Sequence, residues 1–357
     1  RLSHTIGSTR EPLVTKTIGE YFRDQARTFG DRQALVVPPE GLRWTYTQFE
    51  REVEACAKGL LQMGLRKGDR LGIWMGNRSE WITLQYATSM IGVILVTINP
   101  AYRPNELESA LRLSGCRALV MSPTFKSSNY LKMLRTVAPE FPPSLAGNLM
   151  SESLPDLRTV IVVDGARHPG AFAFHDLLDE GRGVRHDTIG PVLESCKKDE
   201  VCNIQFTSGT TGSPKAASLT HSNILNNGIA AGRAMRLTCE DILCVPVPLY
   251  HCFGIVLGNL AALSAGASVV YPAESYDPVA TMQAVHDERC TGLHGVPTMF
   301  IGQMSLPNFS SFDVSSLRTG IMAGSVCPPE TMKGVMQKLH MKDVVIGYGM
   351  TGESLRC

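Results

Sequence analysis

Neither sign of charge dominates the sequence: 34 Lys and Arg stand against 33 Asp and Glu over 357 residues, a formal charge of +1. The missing basic surplus argues against nucleic acid as a partner, and the missing acidic block argues against a solvating tail. No C-x-x-C pair occurs among the ten cysteines, and Cys239 and Cys244 lack a second pair to complete a zinc site. Ten cysteines over this length are also too few for a disulfide scaffold, so buried free thiols are expected. No fixed-period repeat is present, which sets solenoids aside. Residues 252–273 carry no charge and approach bilayer length, but Gly254, Gly258, Asn259, Ser264 and Gly266 interrupt them. A buried helix ending near Gly266, followed by a short core strand, is expected there instead of a transmembrane segment. The first residue is Arg1 rather than Met, so the sequence is expected to begin inside a longer or processed precursor.

Apolar residues, by contrast, are plentiful at 43%, with 19% charged, enough for a substantial core. Ile18, Phe22, Ala26 and Phe29 recur at helical spacing, and Ala34 to Val37 read as a short strand. Thr47 and Glu50 suggest a capping box opening a helix that carries Phe49, Val53, Cys56 and Leu60. Strands are expected over 70–75, 93–98 and 117–121. Helices are expected from a Ser79 cap and over 105–113. Residues 139–155, rich in proline, read as a surface excursion or a linker between subdomains. Strands separated by helices of this length indicate an α/β fold with a mostly parallel sheet covered on both faces. Two α/β units are expected, 1–195 and 196–357.

The segment Val201 to Leu219 is the most informative. An apolar strand runs into Thr207-Ser208-Gly209-Thr210-Thr211-Gly212-Ser213-Pro214-Lys215, nine residues with five hydroxyls, two glycines and one lysine. Glycines let backbone N–H groups turn toward an anion, hydroxyls add donors, and Lys215 adds a mobile positive charge. This composition suits a polyphosphate; the plain alternative is a Ser/Thr/Gly surface loop. A Walker A motif is excluded, because only two residues separate Gly209 from Gly212.

Thr207 to Lys215 resembles the signature phosphate loop of the adenylate-forming superfamily, which includes acyl-CoA synthetases, luciferases and peptide-synthetase adenylation domains. Pro248-Leu249-Tyr250-His251-Cys252-Phe253-Gly254 and Gly347-Tyr348-Gly349-Met350-Thr351 resemble two further family segments in the same order. Gly68-Asp69-Arg70, Asn99-Pro100-Ala101-Tyr102 and Gly295-Val296-Pro297-Thr298 add shorter matches. Within the superfamily, the wording is similar to that of mitochondrial medium-chain acyl-CoA synthetases.

That resemblance implies a layered αβαβα large domain and a ligase using ATP, Mg²⁺ and coenzyme A. A fatty acid would attack the α-phosphate of ATP to give acyl-adenylate and pyrophosphate, and coenzyme A would then displace AMP. It implies a mitochondrial matrix location, while the charge balance and the interrupted apolar run already argue for no nucleic-acid partner and no membrane span. Thr207, Ser208, Gly209, Thr210, Thr211, Gly212, Ser213, Pro214 and Lys215 would hold the phosphates. His251 would line the acid tunnel, with Phe253 as a wall; a packed structural histidine is the alternative. Ala323, Gly324 and Ser325 would lie against adenine, or form an ordinary strand-to-helix turn before Pro328. Tyr348 would stack on the base, with Gly349 and Met350 beside it, and Thr351 would meet the α-phosphate. Lys215, His251 and Thr351 are thus the expected catalytic residues, whereas His221 reads as a cap or helix-start residue.

The match departs from the family at two places. Metal-binding would fall to Thr211 and an acid after Thr351, but Gly352 occupies that position and Glu353 comes one residue late. Ala216 stands where a glycine is common. The resemblance spans about the first two thirds of a family member. The family's ribose-binding Asp, hinge Arg and small C-terminal domain with its lysine are therefore expected outside this sequence. Sheet edges they would cover are expected to be exposed. Two alternatives remain: a nucleotide-binding fragment without turnover, or an adenylating enzyme for aryl or amino acids.

Overall fold

The computed structural model describes residues 12–185, 188–207 and 215–352. The chain begins with helix α1 (Ile18–Thr28), strands β1 (Gln33–Val37) and β2 (Leu42–Thr45), and helix α2 (Tyr46–Gln62). Next come β3 (Arg70–Trp74), α3 (Ser79–Ile91), β4 (Ile94–Thr97), α4 (Pro104–Ser114) and β5 (Ala118–Met121). A hairpin of β6 (Thr124–Phe125) and β7 (Ser128–Asn129) leads to α5 (Tyr130–Val137), β8 (Thr159–Val162), β9 (Phe172–Ala173), α6 (Phe174–Gly183) and α7 (Ile189–Ser195). After β10 (Val201–Thr207), β11 (Lys215–Thr220), α8 (His221–Ala234) and β12 (Ile242–Cys244), a π-helical segment, Phe253–Leu260, runs into α9 (Ala261–Ala265). The described chain closes with β13 (Ser268–Val270), α10 (Pro278–Glu288), β14 (Gly292–Leu293), α11 (Pro297–Met304), β15 (Thr319–Met322), α12 (Pro329–Lys338) and β16 (Asp343–Ile346).

Two seven-stranded sheets result. The first has the order β11-β10-β4-β3-β5-β8-β9 and is parallel except for the β10–β11 pair. The second has the order β16-β15-β14-β12-β13-β1-β2 and is parallel except for β1–β2. Alternation along the strands explains the layers. Leu71, Ile73 and Leu95 of the first sheet join Leu35, Leu243 and Val269 of the second in one central core with α1, α2 and α3. Trp74, Val96 and Leu119 point the other way, onto α4 and α5. Val36, Cys244 and Val270 face α10, α11 and α12. The expected αβαβα layering is therefore observed, with α3 buried around almost its whole circumference between the sheets.

Several local expectations shift. The capping box at the start of α2 is Thr45 with Gln48, not Thr47 with Glu50. Ser79 is the first helical residue of α3, and the cap position belongs to Arg78. Pro328 stands at the N-cap position of α12, without a side-chain cap, and the first helical residue is Pro329. The excursion at 139–155 is tied down by buried Phe141, Leu149 and Leu154, which pack into the α4–α5 core. Residues 252–266 form the expected buried helix, ended by Gly266 at φ 68°. Among the described residues no helix is long and apolar enough to cross a membrane. Among the described residues nine cysteines are free, seven of them buried. Residue 195 ends α7, and sheet membership runs across it: β10 and β11 join the first sheet, whereas β1 and β2 complete the second.

Candidate active site

The strand β10 and its antiparallel neighbour β11 place Thr207 directly opposite Lys215, so both stand at the root of the loop that joins them. Thr207 ends β10 beside the parallel strand β4, and Lys215 is exposed. Strand ends of this kind are where open α/β sheets present ligands. Ser208, Gly209, Thr210, Thr211, Gly212, Ser213 and Pro214 lie outside the described residues, as does Glu353. Both residues matched to the metal, Thr211 and Glu353, are therefore among these. No group of three His, Cys, Asp or Glu side chains that could hold a metal occurs among the described residues.

A recess of about 130 Å³ opens three residues along β11 from Lys215. Ser218 and Leu219 of β11, Asn223, Ile224 and Asn227 of α8, Cys252 and Val256, and Met350, Thr351 and Gly352 line it. Three sequence segments distant along the chain thus converge. Its volume lies below the roughly 300–1,000 Å³ of drug-sized sites, so it accommodates a small group or one end of a longer ligand. Cys252 and Thr351 line this same recess, and burial pushes the Cys252 thiol pKa up.

His251 precedes this wall. Its Nδ1 accepts the Phe253 N–H at 3.1 Å and lies 3.6 Å from the Cys252 sulfur. That acceptor role leaves the proton of the neutral ring on Nε2. The ring is exposed, yet enough protein surrounds it for desolvation to lower its pKa. A neutral ring offering Nε2–H is the resulting state at neutral pH. His221, by contrast, is buried as the first residue of α8, after the Thr220 cap, and its Nδ1 accepts the Ile18 N–H.

On the second sheet, β15 and β16 end side by side. The Gly347 N–H donates to Met322 O at 3.1 Å, which sets Gly347-Tyr348 beside the Ala323-Gly324-Ser325 turn. Gly324 has φ +86°, and a Cβ there would meet Val296 Cγ1 at 2.9 Å, so both backbone and space call for glycine. Tyr348 is 73% exposed, presenting an open ring face beside this turn. Gly349 is exposed and Met350 reaches the recess. Gly352 also lines the recess, and a Cβ at this position would meet nothing within 4 Å.

The structure brings together Met350, Thr351 and the His251–Cys252 segment, and separately Gly324, Ser325, Gly347 and Tyr348. Asn223, Asn227, Ser218 and Val256 were not singled out from sequence. The Asn223/Asn227 spacing, one helical turn after a Thr220 cap, was the available signal. Phe253 to Leu263 is fully buried core; within this run only Val256 reaches the recess.

The layered α/β domain, with two mostly parallel sheets and Thr207 and Lys215 paired at the root of the β10–β11 connection, is of the adenylate-forming type. The chain matches the family described as AMP-binding enzyme over residues 22–355, and it belongs to that family. YngI of Bacillus subtilis (strain 168), named as an acyl-CoA synthetase, is 42% identical over 342 residues, 96% of this chain and 62% of that protein. The mitochondrial medium-chain acyl-CoA ligase ACSF2 of Danio rerio is 42% identical over 354 residues, 99% of this chain and 58% of that protein. The chain thus spans about six tenths of these relatives' lengths. The structure of the anthranilate CoA ligase AuaEII in complex with anthranoyl-AMP superposes with a TM-score of 0.82 at 21% identity. That superposition covers 97% of this chain and 62% of AuaEII, and supports the fold.

Proposed function

We propose that the protein is an acyl-CoA ligase that activates a medium-chain fatty acid through an acyl-adenylate. The observation that carries this reading is the recess that Cys252 and Thr351 line together, where the segment after His251 meets the segment after Tyr348. The names of the relatives, an acyl-CoA synthetase and a medium-chain acyl-CoA ligase, supply the substrate class.

The chemistry demands charge control, because a carboxylate must approach a polyphosphate. Thr207, Ser208, Thr210, Thr211 and Lys215 hold the phosphates in this reading, with backbone amides freed by Gly209 and Gly212 and the turn shaped by Ser213 and Pro214. Lys215 offsets negative charge as pyrophosphate leaves. His251 donates from Nε2 to the acid's carboxylate, orienting one oxygen toward the α-phosphorus that Thr351 holds. Gly324 and Ser325 receive adenine, and Tyr348 covers its face with Gly349 and Met350 alongside. Coenzyme A then attacks the acyl carbon and AMP departs. Mg²⁺ would accompany ATP and offset phosphate charge. Segments 1–195 and 196–357 share both sheets in this reading, the second supplying every candidate site residue.

Mixing the protein with ATP, octanoate and coenzyme A is expected to yield AMP, pyrophosphate and octanoyl-CoA. Lys215→Ala is expected to weaken ATP binding about 10- to 100-fold, as for loss of a charge-assisted hydrogen bond. Failure of every straight-chain, aryl or amino acid to release pyrophosphate from a protein that binds ATP refutes the ligase. Nucleotide binding without turnover is a second reading, favoured by Gly352 at the family's acid position. A mitochondrial location, in the matrix in this reading, is suggested by the name of the Danio rerio relative, a mitochondrial ligase, and is checked by imaging the tagged protein in cells.

A further inference from the structure

The π-helical segment Phe253–Leu260 carries Val256 to the recess, yet its widened turns need support from outside. Three of its carbonyls receive buried side-chain donors from other elements. Gln85 Nε2 donates to Ile255 O at 3.2 Å, and Tyr86 Oη to Asn259 O at 3.3 Å. Between them, Leu257 O lies 2.9 Å from His294 Nε2. Gln85 and Tyr86 belong to the central helix α3, whereas His294 follows β14 on the second sheet.

His294 is fully buried and engaged at both ring nitrogens. The Ile321 N–H donates to Nδ1 at 3.1 Å, so Nδ1 is unprotonated and the proton sits on Nε2, where it donates to Leu257 O. The ring also packs against Phe253, with centroids 5.2 Å apart. Ile321 lies in β15, two residues before Ala323, and Gly295 beside His294 pairs with the same strand through its N–H to Ile321 O. One imidazole therefore spans from the strand entering the Gly324 turn to the helix walling the recess.

We propose that His294 is a positioning residue that couples the nucleotide side of the site to its acid side. Through Ile321 it sets β15 and the turn after it; through Leu257 and Phe253 it sets the π-helical wall that bears Val256. Occupying either side is transmitted to the other through this bridge. The inference rests on the proposed ligase reading for the identity of the two ligands.

Calorimetric titration with a non-hydrolysable ATP analogue and with octanoate, singly and together, tests the coupling. In the unaltered protein octanoate is expected to tighten nucleotide binding about fivefold or more, a common size for coupled sites. His294→Phe retains the ring packing but not the bridge. It is expected to keep each single affinity within about threefold while abolishing the mutual effect. His294→Gln, which retains a donor for Leu257, is expected to recover part of it. Undiminished coupling in His294→Phe overturns the proposal, as does independent binding of the two ligands in the unaltered protein. Binding of neither ligand overturns the ligase reading and the proposal together. Nitrogen-15 spectra of the unaltered protein give a check that needs no variant. His294 should remain the Nε2-protonated neutral tautomer from about pH 5.5 to 8, and its signal should shift when either ligand is added alone. An Nδ1-protonated ring, or a signal indifferent to both ligands, overturns it.

Discussion

Acid should destabilise this protein through two buried histidines, and the size of the effect can be worked out. Burial lowers the pKa of His221 and of His294 from 6.5 to about 4 each. Around His221, Glu200 and Glu20 act to raise its pKa and Lys67 acts with burial to lower it. Each ring stays neutral in the fold while its unfolded counterpart takes up a proton below pH 6.5. The unfolded state thus binds more protons, and stability falls as pH falls from about 6.5 to about 4. At about 1.36 kcal/mol per pH unit, a gap from 6.5 to about 4 costs about 3 kcal/mol per histidine. The two together contribute a slope of about 2.7 kcal/mol per pH unit in the middle of that range. Glu40 and Glu274 act oppositely: burial raises both carboxyls, so they add stability as pH falls and lose it as pH rises through their folded pKa values. The difference between unaltered protein and His221→Asn isolates one histidine, since the Asn side-chain oxygen can still accept the Ile18 N–H. Urea unfolding followed by tryptophan fluorescence at several pH values is expected to show a slope shallower by about 1.4 kcal/mol per pH unit in the variant. Equal slopes would refute the reasoning.

Gly352→Glu should fold normally, with stability changed by no more than about 0.5 kcal/mol by thermal unfolding, because open space surrounds its Cβ. The same variant places a carboxylate at the recess and is expected to strengthen magnesium-dependent ATP binding by calorimetry. Gly324→Ala should lose about 1–2 kcal/mol from the left-handed backbone alone, with further strain against Val296 Cγ1, read by denaturant unfolding. Gln303 is fully buried, and neither polar atom of its amide has a partner among the described residues. Gln303→Met is therefore expected to raise stability by about 1 kcal/mol in the same assay.

Local pattern and global pairing differ in how far they can be read from sequence. The strand from Val201, the helix stop at Gly266 and the helix from Pro104 follow from apolar runs, glycine and proline acting over a few residues. The start of α2 is ambiguous because Thr45/Gln48 and Thr47/Glu50 both satisfy the capping spacing. Tertiary bonds choose between them, with the Tyr46 N–H held by Arg32 O and the Thr47 N–H by Gly30 O. Nothing local announces that α3 is enclosed between two sheets: Thr83, Gln85 and Thr88 look like surface residues but are buried, the two threonines bonding back to Ser79 and Leu84 carbonyls of their own helix and Gln85 reaching the distant Ile255 carbonyl. At the candidate site, motif residues His251, Thr351 and Gly324 were visible by resemblance. Asn223, Asn227 and the His294 bridge depend on long-range packing and were not.

The pairing of Leu35 with Val269 carries a consequence for synthesis. A ribosome adding about 5–20 residues per second needs some 12–47 seconds to travel the intervening 234 positions. Throughout that interval the apolar β1–β2 ribbon has no neighbour from its own sheet. Until its late partner emerges the ribbon offers an unpaired strand edge, the kind of exposure that makes slow non-local pairing prone to aggregation.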